Sequence, residues 1–445
     1  MLTSSLLTEL LCSLSIIGGL LLLGTFLRAK VKLFQKLFLP ASVIGGFIGL
    51  LLGPMVLGDY AILRVPETYI HDWSLLPGTL IVPIFAAVPL GMFMDRSSKK
   101  SGSGKKTAPN VLKAFALFAA LSFMQSAIGF GTNLFFSRSG DSNLYRTFGY
   151  ELSQGFCGGH GTAGAVGKIL EGLGLDYWAT AQGVAVTTAT IGIIGGMLLG
   201  IIFINIAAAK GKTAVLKKPG DIPAEMSKGY VADPSRHASM GRETFMPSTV
   251  ETISLHLAII LGVCGAAYAL LDLLKKTGIS AFSSMPVWIY AMVIMFGVNH
   301  LIIKLKLDWA LDTKVKSRIS GAMSDFAITA AIASLPVEAV MEYAMPILVM
   351  CALGFLLTYL FVFKLGDIVF KGDYAFERSI IAWGTATGVM ITGMMLLKIC
   401  DPDYDPPALA DFSMGFSLIS LSGLITQPIT LGVLATGSTM SNFTL

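Results

Sequence analysis

Apolar residues run along the chain in long blocks separated by short polar stretches. Ten blocks reach about 20 residues, enough to cross a hydrocarbon core of roughly 30 Å as a helix. They lie near 5–27, 37–58, 74–94, 111–136, 178–208, 250–274, 285–303, 319–337, 343–363 and 408–436. Two further stretches, 150–172 and 378–400, are moderately apolar but broken by glycine, threonine and a lysine each. Non-helical backbone at membrane depth survives only where protein or a water-filled cavity satisfies its polar groups. Both stretches therefore predict re-entrant hairpins that enter and leave on one side. The pattern predicts an all-α polytopic membrane protein of about ten transmembrane helices, each half carrying one hairpin. The first block has no basic residue before it and no small-residue cleavage site after it, which predicts a retained helix rather than a signal peptide.

Basic residues orient this layout. With the N-terminus outside, the cytoplasmic loops hold 25 of the 32 lysines and arginines, as the positive-inside rule requires. Five outside positions (Arg64, Arg138, Arg146, Lys275, Lys276) and two hairpin lysines (Lys168, Lys398) complete the count. Placing both termini inside reverses every cluster. Five spans before the central loop and five after it must then run in opposite senses, so the chain divides into an N-terminal repeat (1–208), a flexible cytoplasmic linker (209–249) and an inverted C-terminal repeat (250–445). Weak echoes agree. Pro40 opens the second span as Pro286 opens the seventh, Gly161-Thr162-Ala163-Gly164 answers Gly384-Thr385-Ala386-Thr387-Gly388, and Asp176-Tyr177 and Asp403-Tyr404 follow the two hairpins.

Composition narrows the class. Of 445 residues 54% are hydrophobic and 13% charged, about half the charge of a soluble domain, and the mean hydropathy is +0.73. This excludes a soluble enzyme; the lipid bilayer is the expected partner, and nucleic acid is not. Forty-eight glycines and 21 methionines suit closely packed membrane helices. The five cysteines (Cys12, Cys157, Cys264, Cys351, Cys400) form no C-x-x-C pair, so neither a disulfide framework nor a zinc site is implied.

Candidate chemistry sits in the hairpins. The first reads Gly155-Phe156-Cys157-Gly158-Gly159-His160-Gly161-Thr162-Ala163-Gly164. Its literal G-x-G-x-x-G needs a strand and a βαβ unit to bind a dinucleotide, and neither is present. The glycines instead let a hairpin tip turn sharply and leave amides open, with a helix restarting at Thr162 whose positive end faces the tip. Such opposed broken segments are where secondary transporters hold substrate and coupling ions; the plainer alternative is that the glycines only permit close packing. The second hairpin, Ala382-Trp383-Gly384-Thr385-Ala386-Thr387-Gly388, is richer in hydroxyls, and Gly384, Thr385 and Thr387 join Gly158, Gly159, His160, Gly161 and Thr162 as candidate substrate or ion ligands. Gln125 in the fourth span must find partners inside the protein, bridging helices or touching ligand. Asp325 lies about six residues into the eighth span, roughly 9 Å deep, and is either a helix cap or a carboxylate for sodium or a proton. A sodium site near Thr162, Thr385 and Asp325 is expected, with no other metal and no cofactor. His160 either meets substrate or holds backbone. Lys168 either counters a carboxylate or snorkels outward. Arg378 reads as an ordinary positive-inside residue, and Gln427-Pro428 either kinks the last span or frees carbonyls for an ion.

These residues resemble a known family. Gly-Gly-His-Gly-Thr on a hairpin with Lys168 eight residues after His160, Met124-Gln125-Ser126-Ala127-Ile128-Gly129 in the fourth span, Ile347-Leu348-Val349 in the ninth, and Gly372-Asp373-Tyr374 before the second hairpin are similar to the bacterial sodium/glutamate symporters. The resemblance covers nearly the whole chain. It implies a homodimer in the inner membrane that moves L-glutamate with sodium by alternating access. The second hairpin departs from the family's Gly-x-Gly, which leaves open a sodium- or proton-coupled carrier of another small organic anion. A channel would need a symmetric carbonyl filter, which one chain with antiparallel halves does not supply. An intramembrane enzyme built on His160 with Cys157 or Ser153 lacks an acid nearby to orient the histidine.

Overall fold

The computed structural model describes residues 4–36, 39–91, 104–139, 144–214, 228–276, 287–371, 374–401 and 408–444. Pro286, Gly372-Asp373, Asp403-Tyr404 and the side chains of Gln427 and Pro428 lie outside the described residues.

The main helices are α1 (Ser4–Lys30), α2 (Ala41–Leu52), α3 (Glu67–Ala87), α4 (Gly104–Ser139), α5 (Tyr150–Phe156), α6 (Gly159–Gly172), α7 (Trp178–Ala209), α8 (Thr252–Lys276), α9 (Val287–Lys304), α10 (Thr313–Ala333), α11 (Ala344–Tyr359), α12 (Ala375–Cys400), α13 (Ala408–Thr436) and α14 (Thr439–Thr444). No strand occurs among the described residues. Among the described residues eight helices are long and apolar enough to cross a membrane, so the protein is an all-α, multi-pass membrane protein. The two other predicted spans are helical as well. The first turns of α10 carry Lys314, Lys316 and Arg318, which lower its hydropathy below that of the rest.

Local chemistry sets several ends. Asp312 caps α10, its carboxylate accepting the amides of Lys314 (2.8 Å) and Val315 (3.2 Å), which satisfies donors the helix cannot. Pro66 precedes α3, which begins seven residues before the predicted 74. Its first two turns carry Glu67, His71 and Asp72 and so escape a search for apolar runs. α11 continues through a π-helical turn at Leu360–Leu365, whose Val362 carbonyl accepts the Ser379 hydroxyl of α12 at 3.0 Å.

The helices pack as two bundles. In one, α1 lies on α2, α10 on α2 and α3, and α9 on α3 and α8. The α1–α2 crossing is backbone to backbone: a Cβ on Gly24 would strike the Ala41 carbonyl, and one on Gly45 the Leu20 carbonyl. In the other, α7 stands among α5, α6, α11 and α12, while α4 lies on α13, α11 and α5. The first hairpin joins them, α6 lying against α3 and α10; Gly164 meets Pro77 there, and Gly78 meets the Lys168 stem.

The described part of the central loop is not a loose linker. Arg242 donates its amide to Asp312 at 3.2 Å, and Thr244 donates its hydroxyl to the Ala310 carbonyl at 2.8 Å, which seats this segment on the start of α10. Its polar side chains alone gave no sign of these docking bonds.

Candidate transport site

Both predicted hairpins form. The first is α5 and α6 joined by Cys157 and Gly158; its helix restarts at Gly159, three residues before the expected Thr162, so Gly161 and Thr162 sit in the first turn of α6. The second is α12, which folds back at Gly388 and Val389. Gly384, expected at that tip, instead lies on the arm, pressed against the Gly393 backbone of the returning arm. Only glycine on both sides allows that approach. Val389 makes the turn with φ +76°, a strained conformation for a β-branched residue.

The tips meet. Gly159, at φ +63°, leaves the space that a Val389 methyl occupies. Around this contact Gln125 of α4 acts as a hub. It is fully buried, and its amide nitrogen donates to the Ala386 carbonyl of the second hairpin at 2.8 Å and to Thr358 of α11 at 3.2 Å. Its amide oxygen accepts the Cys157 thiol of the first hairpin at 3.1 Å. One side chain thus bonds both tips and the ninth span, the bridging alternative of the sequence reading.

α7 is the post on which both hairpins lean. Its Gly192 and Gly196 face Thr387, and Trp383 donates its indole N–H to the Gly196 carbonyl at 2.8 Å. The Thr387 hydroxyl is spent on the Trp383 carbonyl at 2.9 Å. Thr188 reaches the Glu151 carbonyl at 3.1 Å, and the buried His160 meets Thr190 through Nε2 at 2.9 Å. His160 is therefore turned toward α7 and away from Cys157, whose thiol belongs to Gln125, so no cysteine–histidine pair is assembled. Thr385 is buried against Gly393. Lys168 pairs with Glu171 at 2.9 Å, both exposed, in line with snorkelling. Asp325 is exposed on α10, in the bundle that does not contain α12, so Thr162, Thr385 and Asp325 are not brought together.

Arg378 corrects its positive-inside reading. It is 2% exposed and pairs with the equally buried Asp411 of α13 at 2.7 Å, while its guanidinium lies 5.4 Å from the Phe370 ring centre. A basic residue at a hairpin base looks like a loop cation in sequence; the acid that draws it inward is 33 residues away.

Beside the first tip lies a cavity of about 520 Å³. Gly158, Thr162 and Gln154 of the first hairpin form one wall, with Ser122 and Ser126 of α4 and Ser422, Thr426 and Thr430 of α13 alongside. Ile81 and Phe85 of α3 and Trp288 of α9 close it from the other bundle. Apart from Gly158 and Thr162, the sequence reading missed this wall, because serines spaced four apart in an apolar helix resemble ordinary packing positions.

A membrane bundle with two broken hairpins meeting at their tips beside a cavity with a hydroxyl-bearing wall is the architecture of a secondary transporter. The sodium/glutamate symporter family model matches residues 7–375. The chain belongs to that family, which is one of transporters and not of enzymes. The match stops where α12 begins. No curated protein and no solved structure matches the chain.

Proposed function

We propose that this protein is a sodium-coupled symporter of L-glutamate or a related small anionic amino acid. The observation that carries this reading is the meeting of the two tips at Gly159 and Val389, bridged by Gln125, next to a cavity with a hydroxyl-bearing wall between two bundles. Gly158, Gly159, Gly161 and Thr162 serve the site directly, and Gln125 bridges the two tips beside it. His160, Gly384, Thr385 and Thr387 hold the hairpins that form it. The two-bundle packing supports alternating access, with the hairpin bundle shifting against the other at the α6 contact. It also supports the inverted repeats 1–208 and 250–445: the third helix of each half, α3 and α10, packs on the other and on the second helix of the opposite half. We place the protein in the inner membrane as a homodimer with both termini outside.

A second reading, a carrier of another small organic anion, is favoured by one observation: Gly384, Thr385 and Thr387 lie beyond the family match. Purified protein in proteoliposomes, given an inward sodium gradient, separates the two. Uptake of L-glutamate that other amino acids and dicarboxylates compete with only weakly supports the first, whereas sodium-driven uptake of a different anion with none of glutamate supports the second.

A further inference from the structure

The cavity wall has a chemical bias. Among the described residues its lining carries no charged side chain, yet the proposed substrate is an anion. Its serines and threonines have already spent their hydrogens. Ser122 donates to the Phe118 carbonyl and Ser126 to that of Ser122, each at 3.1 Å. Ser422 donates to Ile419 at 2.8 Å, and Thr426 to Ser422 at 3.3 Å. A hydroxyl bonded back to its own helix presents only lone pairs outward. At the outer end of the same wall the Asn442 amide oxygen is buried without a partner. The face built by α4 and α13 is thus one of neutral oxygen acceptors, which suits a hard cation, while the donors, the buried and unpartnered Tyr150 hydroxyl among them, lie on the first-hairpin side.

The helices align these oxygens in rungs. Gly415 packs against Val111, Ala114 and Phe115 of α4, and the Phe118 ring meets the Phe412 and Phe416 rings at 5.8 and 5.3 Å. Further along, Arg146, which follows α4, bonds the Gly437 and Ala435 carbonyls at the end of α13, so the two helices run parallel. Ser122 and Ser126 follow Phe115 by the same steps as Ser422 and Thr426 follow Gly415. Ser122 therefore lies within about one turn of the level of Ser422, and Ser126 of that of Thr426, the two rungs about 6 Å apart along the axis.

From this, and resting on the symport reading above, we infer that the Ser122–Ser422 and Ser126–Thr426 rungs bind the coupling sodium, and that the bound ion supplies the counter-charge the wall lacks for the substrate's carboxylate. Sodium enters first and creates the positive site; substrate and ion then strengthen each other's binding by the same factor. Placing an anion against an uncharged, partly dehydrated wall is otherwise costly.

The test is sodium-dependent thermal unfolding of the purified full-length protein in nanodiscs, titrating sodium chloride against choline chloride at constant ionic strength. The Ser126→Ala/Thr426→Val double variant should need about tenfold to a hundredfold more sodium for half its stabilisation. Thr426→Ser, which keeps the oxygen, should follow the wild type, as should Thr436→Val, whose hydroxyl lies off the cavity. A wild-type sodium curve in the double variant overturns the site. If that variant also retains sodium-driven uptake with unchanged sodium dependence, the symport reading stands and the ion binds elsewhere; if the wild type shows no sodium-driven uptake, the symport reading itself fails.

Discussion

Val389 and Gly159 face each other across the two hairpin tips, both at positive φ, and the methyl of one fills the space left by the missing Cβ of the other. Two broken segments from opposite halves of the chain are thereby locked tip to tip. The strain at Val389, about 1–3 kcal/mol, persists only where the surroundings enforce it and gathers at functional places, whereas Gly159 adopts its positive φ freely.

Gly159→Ala should abolish most transport. Its Cβ meets Val389 while its backbone is held where alanine is strained, and both costs fall on the tip contact. Initial uptake should drop more than about tenfold with normal yield in the membrane. Wild-type rates would show that the tips are not coupled in function.

Gln125→Leu keeps the volume but removes the donor to the Ala386 carbonyl and the Thr358 hydroxyl and leaves the Cys157 thiol only the longer contact to Ala386 at 3.7 Å. An unsatisfied buried partner costs about 1–3 kcal/mol, so uptake should fall roughly tenfold to a hundredfold. Thr358→Val removes one bond of the three and should cost clearly less. Equal losses in the two variants would contradict a hub at Gln125.

Much of the fold was legible in the chain. Eight apolar membrane-length helices, helices at the two other predicted spans and both hairpin breaks were visible because apolar length and broken apolarity are local properties. What stayed hidden depended on tertiary neighbours. The second turn lies at Gly388–Val389 and not at Gly384, because Gly384 is needed where the arms touch, and nothing in sequence marks a valine as a hinge. Gln125 had to have interior partners, but that they would be both tips followed only from packing. Arg378 gave no sign of burial, since its acid is on another helix.

The Arg378–Asp411 pair sets a stability prediction. Removing one partner leaves a buried charge uncompensated, at about 3–5 kcal/mol, so Arg378→Met should lower the unfolding midpoint in detergent sharply. Adding Asp411→Leu should restore much of it. A double variant no more stable than Arg378→Met would argue that the two residues act separately.

Asp325 stands apart from the tips, which reverses the weight given to it by sequence. Asp325→Asn should transport with unaltered sodium dependence. A shifted sodium curve would bring α10 into the coupling site.

The most direct measurement is the charge carried in one transport cycle. A glutamate bearing one negative charge gains nothing from a membrane potential if it travels with one sodium ion, and two or more harvest about 2.3 kcal/mol per net charge per 100 mV. In proteoliposomes with an inward sodium gradient, a valinomycin-imposed, inside-negative potassium diffusion potential should accelerate L-glutamate uptake, and replacing external sodium with choline should abolish it. Glutamate uptake that persists without sodium would contradict the account.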